Sequence, residues 1–209
     1  MAEKLILLVE EYSMEAALEQ LLPRLLGEVE FQILRFQCKA DLLKRAPARL
    51  KGYADWLPDD WTILVLVDRD DDDCVVLKEK LEKIAAAASL KTKTTAGAGR
   101  RFQVVNRIAV EELEAWFFGD WEAVRNAYPR VPATIPEKVA YRDPDSITGG
   151  TWEALERVLK SAGYFRTGLR KIELARSVAK HMDPQRNRSR SFRAFVDAIN
   201  CLKGFHEHC

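Results

Sequence analysis

The stretch Trp61-Thr62-Ile63-Leu64-Val65-Leu66-Val67, followed at once by Asp68-Arg69-Asp70-Asp71-Asp72-Asp73, decides the architecture. A continuous run rich in β-branched residues, with Asp on both sides, reads as a strand buried on both faces. Working outward, Lys4–Val9 is a second short apolar run, and Glu30–Gln37 and Gln103–Val110 read as further strands. Helical spacing separates them. Ser13 is placed to cap a helix whose apolar side carries Ala16, Ala17, Leu18, Leu21, Leu22 and Leu25; Pro23 interrupts it and Gly27 fits its end. Ala40–Tyr53 has helical spacing that Pro47 is expected to break in two. Cys74–Ser89 is a helix rich in Leu, Lys, Glu and Ala. The order β-α-β-α-β-α-β predicts an α/β fold, a mostly parallel sheet flanked by helices.

The second half changes character. Glu111–Phe118 and Trp121–Tyr128 read as short helices, and 129–150, with four Pro and two adjacent Gly, as a long loop or lid. Trp152–Ala162, Lys171–His181 and Phe192–Leu202 are amphipathic helices. The expected organisation is a core over 1–110 and a helical lobe packed on it over 111–209. Trp116, Trp121 and Trp152 are expected to pack in that lobe, and the lone His181 to be structural.

Lys plus Arg number 33 and Asp plus Glu 32, so net charge names no partner, and any nucleic-acid surface must come from local clustering. The cysteines at 38, 74, 201 and 209 form no CxxC pair, which argues against a zinc ribbon and leaves reduced thiols as the expectation. The apolar run at 5–9 stops at Glu10-Glu11, too short for a signal peptide, and no stretch approaches bilayer length. A cytoplasmic protein without membrane association is expected.

Ligands of open parallel sheets gather beyond the carboxyl ends of the strands. Glu10 and Glu11 lie there after the first strand, and the acidic run after the third. Five Asp in six positions repel one another unless a cation shares the site. Mg²⁺ or Mn²⁺, hard and oxygen-seeking, suits them. In an extended segment Asp68, Asp70 and Asp72 would point the same way, as metal ligands do. The competing explanation, an acidic cap on the next helix, fits Asp71 and Asp73 better and remains open for Asp72.

The run Leu5-Ile6-Leu7-Leu8-Val9-Glu10 with Ser13, Glu15, Ala16 and Leu18, together with Asp68-Arg69-Asp70, resembles the Toprim domain. That domain has a Glu after its first strand and a DxD after a later one. The whole chain, including Glu111-Glu112-Leu113-Glu114-Ala115-Trp116 and Ser189-Arg190-Ser191-Phe192, resembles bacterial Toprim-like proteins related to the overcoming-lysogenization-defect nucleases and often paired with ATPases. Glu11 stands where the family usually has Gly. The resemblance implies metal-dependent hydrolysis of DNA or RNA phosphodiesters, in phage defence or DNA processing, with an ATPase partner. Asp68, Asp70 and Asp72 would hold metal, and Glu10 would bind metal or act as general acid/base. A second ion needs further carboxylates, for which Glu111 and Glu114, three apart on one face of a short helix, are the candidates.

Phosphate chemistry needs cations. Ala96-Gly97-Ala98-Gly99-Arg100-Arg101 is a small loop ending in two Arg, a phosphate grip or a plain turn. Arg186, Arg188 and Arg190, with Arg193 nearby and Asn187, Ser189 and Ser191 among them, form the densest basic stretch, a nucleic-acid contact or a solvated loop. Lys171 is the candidate transition-state cation. His206 and His208 are expected to lie in a frayed tail. A non-catalytic metal-binding subunit of an ATPase complex and a receiver-like phosphoacceptor remain as alternatives, and a homodimer is compatible with either.

Overall fold

The computed structural model describes residues 2–97, 99–168 and 170–203; Ala98, His206, His208 and Cys209 lie outside the described residues. The elements run β1 (Lys4–Val9), α1 (Tyr12–Leu26), β2 (Glu30–Arg35), α2 (Lys39–Ala54), β3 (Trp61–Asp68), α3 (Cys74–Ala87), α4 (Lys93–Ala96) and β4 (Val104–Ala109). The helices α5 (Glu114–Gly119), α6 (Trp121–Ala127), α7 (Thr151–Ser161), α8 (Lys171–Ala179) and α9 (Arg190–Leu202) follow. The expected parallel α/β fold is present: four strands in the order β2-β1-β3-β4, every pair parallel.

Alternation along the strands sorts the core into two layers. Leu5, Leu7, Val9, Leu64, Leu66 and Val105 pack with α1 and with the helices of the second half. Ile6, Leu8, Ile63, Val65, Val67 and Val104 pack with α2 and α3. Both faces are covered, which explains why β1 and β3 are apolar throughout rather than alternating. At about 2 kcal/mol per fully buried aliphatic side chain, these strands hold the sheet whatever the loops do.

Several sequence expectations are corrected. Pro47 does not divide α2, and Pro23 lies inside α1. Both prolines are on the solvent side, so the carbonyls they leave unbonded face water, while Leu42, Ala46 and Leu50 keep α2 seated. Ser13 does not cap α1: the helix begins at Tyr12, and the Ser13 hydroxyl donates to the Glu11 carboxylate. The 129–150 segment holds three short 3₁₀ turns, at Ile135–Glu137, Val139–Tyr141 and Pro144–Ser146. Cys38 and Cys74 are free thiols, whereas Cys201 is disulfide-bonded, against the expectation of reduced thiols throughout. Among the described residues, no helix is long and apolar enough to cross a membrane.

Candidate metal centre

The strand order creates a switch point. From β1 the chain leaves through α1 toward β2 on one side of the sheet, and from β3 it leaves through α3 toward β4 on the other. The loops after β1 and β3 therefore diverge and open a crevice at the carboxyl edge. Glu10 and Asp68 sit there, 6% and 4% exposed. The Asp68 backbone N–H donates to Glu10 Oε2 at 3.1 Å, tying the two strand ends together. Asp68 Oδ1 is buried, and no donor of the described residues reaches it.

Glu114, the first residue of α5, is the third member, 1% exposed, with Oε1 likewise buried and unbonded. Burial pushes the Glu10 carboxyl up to about 7, with Asp70 and Glu11 adding to it and the Asp68 N–H and Lys39 opposing. Burial pushes Glu114 to about 7 as well, against the pull of Lys171. Asp68 is raised well above the usual carboxylate range by burial and by the charges of Glu10, Glu114, Glu11 and Asp70. Burial opposes the charge of Lys171, but Glu114, Glu11, Glu112 and Asp68 outweigh it and raise its pKa. The Lys171 ammonium lies 4.6 Å from the centre of the Trp152 ring, and the Trp152 backbone N–H donates to Glu112 Oε2 at 2.9 Å. Lys171, which the sequence alone could not place, thus acts electrostatically on the same acids as the strand-end carboxylates.

The acidic run does not act as one cluster. The strand ends at Asp68, and Asp70 is left-handed (φ 49°), so Asp68, Asp70 and Asp72 do not share a direction as an extended segment would require. Asp70 Oδ2 and Asp72 Oδ2 each lie 2.7 Å from Lys39 Nζ, which also donates to the carbonyls of Asp68 and Arg69. Asp73 caps α3 through Val75 N and Val76 N, both at 2.9 Å. Glu111 is not on a helix face with Glu114. It is left-handed (φ 64°), its carbonyl accepts from Asp70 N at 2.8 Å, and its carboxylate pairs with Arg69 at 2.5 Å. Two facing non-glycine residues held at positive φ mark this edge as a place where the fold holds backbone strain.

The cations are placed differently from the sequence expectation. Arg100 and Arg101 precede β4 and line a cavity of about 400 Å³ with Asp59 and Asp60. That is the amino edge of the sheet, about 20 Å from the carboxylates along a six-residue strand. Arg186 pairs with the wholly buried Asp120 at 2.7 Å and with Glu122 at 3.2 Å, and Arg190 pairs with Asp143 at 2.9 Å. Arg188 is exposed. Ser189, Ser191 and Asn187 are buried and bond inward, the serines to Asp145 and Asn187 to the Trp116 carbonyl, so they are unavailable to an external phosphate. Sequence reasoning placed Glu11 beside Glu10 at this edge but missed Lys39 as a member of the site. Parallel topology carried the signal for Lys39: a residue opening the helix after β2 must sit at the same edge as Glu10.

Among the described residues, no group of three or more His, Cys, Asp or Glu side chains is drawn together as a ready-made metal cage. The donors nevertheless suit a hard divalent ion. Asp68 and Glu114 are buried and each keeps an oxygen that no donor of the described residues reaches, the charges of Glu10 and Glu114 add to burial in raising the Asp68 pKa, and Mg²⁺ is held by one or two carboxylates while keeping waters or substrate oxygens.

The model of a family described as a domain of unknown function, DUF4276, matches residues 9–200. No curated protein matches. Two solved structures of the C-terminal region of the Xanthomonas campestris pv. campestris OLD protein, phased with mercury and with platinum, are similar in outline. They are 15% and 16% identical, with TM-scores of 0.43 and 0.42. The first covers 97% of this chain and 98% of its own, the second 99% and 98%.

Proposed function

The chain belongs to the DUF4276 family, and we propose that it is a divalent-metal-dependent phosphodiesterase acting on nucleic acid. One observation carries the proposal: two buried carboxylates, Asp68 and Glu114, each keep an oxygen that no donor of the described residues reaches, with Asp68 acted on by Glu10 and Glu114 and Glu114 by Lys171, at the carboxyl edge of a parallel sheet. A structural cluster would satisfy those oxygens internally, because an unbonded buried acceptor costs on the order of 1–3 kcal/mol. The resemblance of Glu10 and Asp68-Arg69-Asp70 to the Toprim pattern supports the same chemistry.

Glu10, Asp68 and Glu114 would hold the ion. Bound Mg²⁺ or Mn²⁺ would supply Lewis-acid polarisation of a phosphoryl oxygen and lower the pKa of water. The residues contribute the rest. Glu10 Oε2 is fixed by the Asp68 N–H, so Oε1 is the atom available either to ligate the ion or, where Glu10 stays outside the ion's shell, to take or return a proton. The Lys171 ammonium, held charged by the acids, neutralises charge that builds on the phosphoryl oxygens. Lys39 keeps Asp70 and Asp72 occupied, which restricts the ligand set to the buried acids unless the lysine moves.

The test is incubation with linear, nicked and single-stranded DNA and with RNA, in Mg²⁺ or Mn²⁺. Cleavage is expected, and Asp68→Asn and Glu10→Gln should abolish it. Cleavage that survives both substitutions refutes the assignment. The pairing of Asp70 and Asp72 with Lys39 favours a second reading, a metal-binding subunit without turnover. Stable metal binding with no cleavage of any nucleic acid would select it. The ATPase partner and the role in phage defence rest on the sequence resemblance, and the partner is tested by co-purification with the product of a neighbouring ATPase gene.

A further inference from the structure

The face of the sheet covered by α2 and α3 carries three adjoining grooves, of about 600, 380 and 490 Å³. The second shares Lys44 with the first and Leu43 and Lys80 with the third, so the first two form one track along α2 and the third opens beside it between α2 and α3. The track begins at Lys39, beside Asp70 and Asp72, and follows α2 away from the carboxylate edge to Trp56. The 16 residues of α2 give it a length of about 24 Å.

Charge is sorted along this track. Lys39, Lys44, Arg45, Arg49, Lys80 and Lys83 line it, against a single acid, Glu79. Glu79 lies 3.6 Å from Lys83, Arg45 has Asp41 at 3.4 Å, and Lys39 is held by Asp70 and Asp72 at 2.7 Å, so Lys44, Arg49 and Lys80 carry the net positive charge of the lining. In a chain whose charges otherwise nearly cancel, so one-sided a lining is a local feature that composition hid. At the far end Trp56 is 55% exposed, and its ring is braced by Tyr53 at 5.4 Å and by Trp61, edge-on, at 5.7 Å. An exposed indole held rigid by two other rings offers a face for stacking.

We propose that this track binds single-stranded nucleic acid, with Lys44 and Lys80 contacting backbone phosphates and Trp56 stacking on an unpaired base, so that the strand runs along α2 into the carboxylate edge. A basic groove that follows the backbone, combined with an aromatic platform, is how single strands are held without sequence preference. An acidic protein segment would use the lysines but has no need of a braced indole, and a duplex exposes no base face to stack. The inference rests on the reading of the carboxylate edge as a phosphodiesterase site only for the direction in which the strand leads.

The experiment measures binding without turnover: fluorescence anisotropy of a labelled single-stranded DNA of about 15 nucleotides, in EDTA, across a salt series. Lys44→Ala with Lys80→Ala should weaken binding at least about tenfold near 0.1 M salt and lower the slope of log K against log salt by about 1.4. Trp56→Ala should weaken it about tenfold while leaving the salt slope unchanged. Arg100→Ala with Arg101→Ala, at the opposite edge, should bind as wild type does. Circular dichroism melts of these surface variants confirm that each is folded. No binding by the wild-type protein, indifference to Trp56, or an equal loss in the Arg100/Arg101 variant each overturns the proposal. Because affinity is read without cleavage, a protein that cuts nothing yet shows this pattern keeps the track and loses the phosphodiesterase assignment. The converse pattern loses only the track.

Discussion

Removing the charge of Glu114 should stabilise the metal-free protein. The carboxyl is pushed to about 7 from an ordinary 4.5, so the folded state holds a proton that the unfolded chain has already released. A raised carboxyl contributes stability that is full below the unfolded value and is lost as pH climbs through the folded one. At about pH 8 the ionised Glu114 therefore costs about 3 kcal/mol of folding free energy, and at about pH 5 less than about 1 kcal/mol. Glu114→Gln keeps the shape without the charge. Allowing about 1 kcal/mol for the buried amide leaves a gain of about 2 kcal/mol at the higher pH, or about 4–8 °C in Tm for a chain of this size. The assay is differential scanning calorimetry of both proteins in EDTA at the two pH values, repeated with Mn²⁺. The variant should melt higher at about pH 8, the gap should close at about pH 5, and Mn²⁺ should raise the wild type but not the variant. A Gln variant that melts below wild type at about pH 8 in EDTA would refute the argument, because Glu114 would then be satisfied inside the fold.

Other outcomes follow from the same geometry. Asp68→Asn should remove divalent-ion stabilisation of the melt while leaving a folded protein, as read by calorimetry with and without Mg²⁺. Lys39→Ala leaves two half-exposed carboxylates and two carbonyls without their shared donor and should cost about 1–2 kcal/mol in urea denaturation, the screened ion pairs supplying the smaller part. Arg186→Ala strands the wholly buried Asp120 and should cost about 3 kcal/mol, with affinity for nucleic acid unchanged at temperatures where the variant is folded. A drop in affinity without a drop in stability would return Arg186 to the nucleic-acid surface.

The sheet was legible because continuous apolar strands leave no other place to go, and Glu10 and Asp68 were legible because they end such strands. What lay beyond the strand ends was less so. Asp70 and Asp72 looked like ligands while the run was taken as extended, but a left-handed turn at Asp70 hands both to Lys39, a residue that nothing in the local sequence singles out. Glu111 shared helical spacing with Glu114 until the helix began three residues later than expected. The cations of the second half formed the densest basic stretch in one dimension. In three dimensions Arg186 and Arg190 find Asp120 and Asp143, at sequence separations of 66 and 47 that no pattern reveals. The reverse holds on α2 and α3, where lysines and arginines spread over two helices look ordinary in the sequence and converge only when the helices pack side by side.

The central claim is that the buried acids at the switch point take a divalent ion. A crystal of the wild-type protein, grown at about pH 8 and soaked in Mn²⁺, tests it through the anomalous difference map. A peak bounded by Glu10, Asp68 and Glu114, and absent from an Asp68→Asn crystal, is the predicted result. A map with no peak in that crevice, or with its only peak at Asp70 and Asp72 after displacement of Lys39, would contradict it.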